Sequence, residues 1–209
     1  MIFISYIFSL SWLLLQNDPE AKRILDKLSS TYNTKVAMEQ SFKYTIKAPE
    51  EKEQNYEGKV TFKTDMYRIQ LHEQEIIFDG KDQYTFLKKQ NEVQITRPAS
   101  TEVKFNPSAL ISLLNSSKYA NRMLAQEKLN GILLKVIDFK PTNIKDNVFK
   151  IKLYYQPNDN SISKIEFFEK NGNRISIQFK KLIKSSSNDN TFHFDASQYK
   201  AAHIEDLRE

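Results

Sequence analysis

The stretch Gly58-Lys59-Val60-Thr61-Phe62-Lys63-Thr64-Asp65-Met66-Tyr67-Arg68-Ile69 leads into Ile76-Ile77-Phe78-Asp79-Gly80-Lys81-Asp82-Gln83-Tyr84-Thr85-Phe86, and together they decide the fold. Val60 and Phe62, then Tyr67 and Ile69, alternate with polar partners, which is the period of a strand with one buried face. Asp79-Gly80-Lys81 supplies a tight hairpin turn that stops the short apolar strand 76–78 and sends it back through Tyr84-Thr85-Phe86-Leu87. Asn91-Glu92-Val93-Gln94-Ile95 returns once more. One arginine, Arg68, stands among apolar neighbours. Strand follows turn follows strand with no helix-length segment between, so the segment is an antiparallel meander rather than a series of βαβ units.

The two-residue period continues outward. Upstream, Val36, Met38, Gln40, Phe42, Tyr44 and Ile46 alternate, then Tyr56, Gly58 and Val60; Leu71 extends the strand after Ile69. Further strands are expected at 124–129, 132–139, 148–155, 162–168 and 174–183. They are separated by the strong hairpin signal Asn130-Gly131, by Pro157-Asn158-Asp159-Asn160 and by Asn171-Gly172-Asn173. Asp18-Pro19-Glu20 is a helix start, with Asp as N-cap and Pro at the first helical position, and Ala21, Ile24, Leu25, Leu28 and Tyr32 follow at helical spacing to about Asn33. Asn106-Pro107-Ser108 opens a second helix with the stripe Leu110, Ile111, Leu113 and Leu114, broken at 116–118. Residues 118–123 read as a short helix or loop. Phe192 and Phe194 form a last apolar pair before a charged tail that reads as loosely attached.

This gives about eleven strands and two amphipathic helices, in the order helix, six strands, helix, five strands. Such a count predicts a mainly β (α+β) chain folded as a barrel or a large curved sheet. The helices must bury their apolar faces, and the sheet is the only large apolar surface available. A sheet curved around them leaves a concave space lined by apolar side chains, which is either a lipid-sized cavity or simply the core.

Composition removes most other functions. The 209 residues are 40% hydrophobic and 12% aromatic, enough for a sizeable core and against wholesale disorder. The absence of cysteine excludes disulfides, thiol nucleophiles and cysteine-ligated zinc. Four glycines leave no room for a phosphate-binding glycine loop. The net charge of +5 is scattered, and Lys22-Arg23, Lys88-Lys89 and Lys180-Lys181 make no basic stripe with interleaved aromatics, so no nucleic-acid partner is expected. His72-Glu73 begins like a zinc-protease motif, but Ile76 stands where the second histidine belongs. His193 alternates with Phe192 and Phe194 and should face solvent, and His203 lies in the tail. No Gly-x-Ser-x-Gly elbow occurs. Glu50, Glu51 and Glu53 read as a solvated loop tip. No catalytic residue, metal or cofactor is expected.

Residues 2–15 are almost entirely apolar before the chain turns polar at Gln16-Asn17-Asp18. The run is shorter than the ~20 residues of a spanning helix and fits the h-region of a secretory signal, about 7–15 residues. We expect a cleaved signal peptide over 1–16, an exported protein and a single domain over 17–209. A lipid-anchored form would need a cysteine.

The ordered set Gly58-x-Val60-x-Phe62-Lys63, Tyr67-Arg68-Ile69, an apolar pair, Asp79-Gly80-Lys81-x-x-Tyr84-x-Phe86 and Glu92-Val93 resembles the periplasmic outer-membrane lipoprotein carrier (LolA) family. The N-terminal helix, the Asn-Pro-Ser helix start and Phe192-x-Phe194-Asp195 agree with it. The resemblance implies an unclosed antiparallel β-barrel with the helices as a lid over a hydrophobic cavity, and a shuttle rather than an enzyme. Such a carrier takes acylated lipoproteins from an ATP-driven release complex of the inner membrane and hands them to an outer-membrane acceptor, acting as a monomer. A related exported lipid-binding or lipoprotein-sensing protein would share the fold. Lys63-Thr64 stand where the family often has an Arg-Pro pair whose arginine holds the lid, and Arg68 matches a second family arginine. Lys63 and Arg68 are therefore the expected lid or gating residues. The expected acyl-chain lining is Leu25, Leu28, Met38, Phe42, Tyr44, Val60, Phe62, Tyr67, Ile69, Phe78, Tyr84, Phe86, Leu110, Ile111 and Leu114. Alternation does not say which strand face is concave, and a one-residue phase error would exchange strand residues for their neighbours.

Overall fold

The computed structural model describes residues 18–97 and 107–208. The expected signal peptide and the Asn106 cap lie outside the described residues. Helix α1 runs Pro19–Tyr32, capped by the Asp18 carboxylate, which accepts the amides of Glu20 at 2.8 Å and Ala21 at 3.3 Å. Six strands follow: β1 Met38–Lys47, β2 Gln54–Lys63, β3 Met66–Leu71, β4 Gln74–Phe78, β5 Gln83–Leu87 and β6 Glu92–Thr96. Helix α2, Pro107–Leu114, separates them from β7 Tyr119–Leu129, β8 Ile132–Pro141, β9 Val148–Gln156, β10 Ser161–Glu169 and β11 Arg174–Phe179. Two short strands end the chain, β12 Ile183–Lys184 and β13 His203–Asp206.

All thirteen strands form one sheet, ordered β13-β6-β5-β4-β3-β2-β1-β11-β10-β9-β8-β7, with β12 paired to β1. Among the described residues the two edges, β13 and β7, do not pair, so the barrel stays open. Every pairing is antiparallel except β13 beside β6. The hairpin glycines adopt the left-handed conformation their turns require, Gly80 at φ 95° and Gly131 at φ 83° beside Asn130 at φ 49°.

Three expectations change. The segment 119–123 is strand, because β7 begins at Tyr119 and pairs with the far end of β8. The strand 174–183 ends at Phe179, and its remainder turns to pair separately with β1 as β12. The tail is attached: residues 189–208 form two 3-10 turns and then β13, hydrogen-bonded along β6.

The main core lies between the helices and one face of the sheet, the inner face. α1 contributes Ala21, Ile24, Leu25, Leu28 and Tyr32, and α2 contributes Leu110, Ile111 and Leu114. The sheet answers with Phe42, Val60, Phe62, Tyr67 and Ile69 from β1–β3, and with Ile137, Phe139, Ile151, Leu153, Tyr155, Ile165, Phe167, Ile175 and Ile177 from β8–β11. A buried polar knot fixes α1 in place. The Tyr32 hydroxyl donates to Gln40 Oε1 at 3.1 Å and accepts the Ile162 amide at 3.1 Å, while Gln40 Nε2 donates to the Lys180 carbonyl at 2.9 Å. Burial pushes the Tyr32 phenol far above its ordinary pKa, so it stays a neutral donor.

Candidate functional site

The cross-strand register assigns each expected site residue to a face. Met38 opposes Phe62, Phe62 opposes Tyr67 and Tyr67 opposes Phe78; Val60 opposes Ile69, and Ile69 opposes Ile76. Directly opposed residues share a face. Met38, Phe42, Tyr44, Val60, Phe62, Tyr67, Ile69 and Phe78 therefore line the inner face, together with Leu25 and Leu28 of α1 and Leu110, Ile111 and Leu114 of α2. Tyr32 stacks on Phe62 with ring centroids 5.5 Å apart.

Four expected site residues lie elsewhere. Ile77 opposes Tyr84 and Glu75 opposes Phe86, so Tyr84 and Phe86 point to the outer face, away from the helices. There Tyr84 stacks on Phe194 at 4.6 Å and Phe86 meets the edge of Tyr199 at 4.9 Å. Arg68 opposes Ile77 and shares that outer face. Its Nε donates to Glu75 Oε1 at 2.8 Å and its Nη1 to the Thr191 carbonyl at 3.4 Å. Lys63 Nζ pairs with Asp189 at 2.5 Å. Among the described residues both cations bond the C-terminal segment. Strict alternation next to Tyr67 and Phe62 forces this: neighbours along a strand point to opposite faces.

The inner face continues past the helices into an open groove of about 350 Å³. Its apolar lining is Tyr44, Ile46, Tyr56, Leu71 and Leu87, and its rim is His72, Glu73, Gln74, Lys89 and Gln90. Gly58 lies beneath it for a steric reason. A Cβ there would sit 2.6 Å from the Phe42 ring, 2.7 Å from Leu71 and 2.9 Å from the Gln70 carbonyl oxygen, so only glycine lets Phe42 and Leu71 close over the strand. Burial, aided by the charge of Glu169, raises the Tyr44 phenol above its ordinary pKa. Ile46, Tyr56 and Leu71 belong to the alternation visible in the sequence. Leu87 was masked by its neighbours Tyr84 and Phe86, whose greater size suggests the opposite phase. Among the described residues no group of three His, Cys, Asp or Glu is placed to hold a metal ion.

A half-open sheet with two helices on its inner face and an apolar groove at their margin is the architecture against which known proteins can be compared. The family of the outer membrane lipoprotein carrier protein LolA matches residues 11–164. The chain belongs to this family. Among solved structures it is similar to an uncharacterised conserved protein from Thermus thermophilus, with TM-score 0.62, 10% identity and coverage of 91% of this chain and 99% of that one. A DUF1329 family protein from Desulfovibrio piger matches with TM-score 0.50 and 11% identity over 87% of this chain and 99% of its own. A LolA-superfamily protein from Nitrosomonas europaea matches with TM-score 0.46 and 15% identity over 84% and 98%. In sequence, no curated protein matches the chain. The chain thus carries the fold of a family of lipoprotein carriers.

Proposed function

We propose that this LolA-family chain is an exported, periplasmic carrier. It takes acylated lipoproteins released from the inner membrane by an ATP-driven complex, shields their acyl chains in water and passes them to an acceptor at the outer membrane. The observation that carries this reading is the apolar stretch of the inner face that runs from beneath α1 and α2 into the open groove around Tyr44, Tyr56 and Leu71. Each methylene moved out of water contributes about 0.8 kcal/mol, so acyl chains need such a surface to cross an aqueous compartment.

The groove holds part of one chain; further chains require a cover to move. The two covers differ. α1 is tied by the Tyr32–Gln40 knot, by the Asp18 contacts to Asn121 and Met123 in β7, and by a Lys135–Glu20 ion pair at 2.7 Å. α2 is eight residues long and packs beside α1, adding Leu110, Ile111 and Leu114 to the shared core, with Asn115 reaching Asp26 at 3.4 Å. Among the described residues the polar ties gather on α1, and α2 is the cover we expect to move.

The test is uptake. Membranes bearing the release complex and ATP are incubated with the mature protein, which is then analysed by native mass spectrometry. A bound mass equal to an acylated lipoprotein is the expected result. A protein that stays empty in membranes from which an authentic carrier extracts lipoprotein would overturn the proposal. A bound free lipid instead would assign the chain to the lipid-binding or sensing branch of the same fold.

A further inference from the structure

The inner face is not apolar throughout. Across β4 the lining residues are Phe78 and Ile76, and in the next strand their partners are Gln83 and Thr85. One strand further they are Thr96 and Gln94. At these positions the lining changes from hydrocarbon to amide and hydroxyl within one strand spacing, about 4.8 Å, while Leu87 at the far end of β5 stays apolar. All four polar residues are half-buried. They are joined to the apolar half by Tyr67, whose hydroxyl donates to Gln83 Oε1 at 2.9 Å, and Gln83 Nε2 donates on to Thr85 Oγ1 at 3.4 Å.

We propose that this strip, Gln83, Thr85, Gln94 and Thr96, binds the extended peptide segment that adjoins the lipidated residue of an acylated protein. This rests on the carrier reading and adds the polar half of its ligand. Three observations select a peptide over a charged headgroup. The strip's own side chains are neutral, and each amide keeps a second N–H and a carbonyl lone pair beyond the bonds it makes, Gln83 with Tyr67 and Thr85 and Gln94 Nε2 with Glu92 Oε1 at 2.7 Å, so each still offers a donor and an acceptor as a peptide unit does. Its neighbour Glu92 is anionic and would repel a phosphate. The nearest rim lysines are engaged, Lys88 with the Leu71 carbonyl at 2.8 Å and Lys89 with Glu73 at 2.5 Å. The spacing also fits: side chains two apart on a strand repeat about every 6.7 Å, the two-residue repeat of an extended peptide laid alongside.

The experiment compares two probes on the full mature protein by fluorescence titration. One is a tripalmitoylated cysteine carrying a neutral four-residue peptide; the other is the same tripalmitoylated cysteine as its simple amide. The variant is the double substitution Thr85→Val and Gln94→Leu, with Thr85→Val alone as the milder form should the double variant unfold. The expected result is lipopeptide binding weakened about tenfold, the loss of one or two neutral hydrogen bonds, with the simple amide unaffected. Equal losses for both probes, or no loss for either, would overturn the peptide strip while leaving the carrier reading intact. A wild-type protein that binds neither probe would overturn both.

Discussion

The strands β1–β3 and β4–β6 are consecutive in one meander, yet they bury opposite faces. On β2 and β3 the apolar residues Val60, Phe62, Tyr67 and Ile69 face the helices. On β5 and β6 the apolar residues Tyr84, Phe86, Val93 and Ile95 face outward, and Gln83, Thr85, Gln94 and Thr96 face in. The crossover is β4, where Ile76 turns inward and Ile77, only 3% exposed, turns outward. What differs is the cover. The inner face lies under α1 and α2, whereas the outer face of β3–β6 lies under residues 189–208, which bring Phe194 and Tyr199 onto it and bury Phe192 completely. A polar clasp frames this second cover: Lys63 with Asp189, Arg68 with Thr191, Tyr199 with Glu75, Asn91 with Ala201 and Asp82 with Arg208. A strand's apolar side is thus set by whichever element arrives to cover it, and one sheet can serve two covers.

If the two covers are equivalent, breaking either should destabilise the fold alike. Phe62→Ala under the helices and Phe192→Ala in the C-terminal segment should each lower unfolding free energy by about 3–5 kcal/mol in urea denaturation. A Phe192→Ala protein indistinguishable from wild type would break the comparison. Gly58→Ala tests the inner face from beneath: the added methyl meets the Gln70 carbonyl, which cannot swing away, and should cost about 2 kcal/mol, with ligand uptake reduced as Phe42 and Leu71 are pushed into the groove.

Glu75 sharpens the outer side. Burial works to raise its carboxyl, but the hydrogen bonds from Arg68 and Tyr199 outweigh it and hold the pKa below the ordinary 4.5. A carboxylate depressed by folding stabilises the fold fully above its unfolded pKa, and that contribution is lost as pH falls through the lower folded value. Glu75→Gln should therefore cost about 1 kcal/mol at neutral pH, allowing for solvent screening at a half-buried group. The difference from wild type should shrink in denaturation curves taken progressively below pH 4.5. The smallest effect belongs to Lys63→Met, whose partner Asp189 is exposed: Tm should be unchanged in 0.5 M salt, and a large drop there would mean that Lys63 holds more than the C-terminal segment.

Much of this was legible in the residues. Asp18-Pro19 marks the start of α1 because a capping carboxylate and a ring without an amide proton suit the free end of a helix and little else. Asp79-Gly80 and Asn130-Gly131 mark hairpins because they accept positive φ. The inner lining from β1 to β3 follows from alternation extended through the stripe of α1. Tyr84 and Phe86 show where that reasoning stops. They are large, apolar and correctly spaced, but spacing carries no label for the face. Arg68 carries a related lesson. An arginine between Tyr67 and Ile69 must face away from them, so its tie to Glu75 and Thr191 could have been inferred, had the outer face been known to be covered.

Local sequence sufficed for the two helices, the hairpin turns and most strands of the two meanders, because those depend on backbone preference and on contacts a few residues apart; β12, β13 and the start of β7 escaped it. Which face of each strand is interior, and that the charged tail is a cover, became visible only in the folded molecule. Those outcomes depend on segments more than a hundred residues apart meeting across the sheet, as Arg68 meets Thr191 and Asp82 meets Arg208. Local periodicity is blind to such meetings, since the free energy of burying a side chain depends on what lies above it in space and not on what stands next to it in the chain.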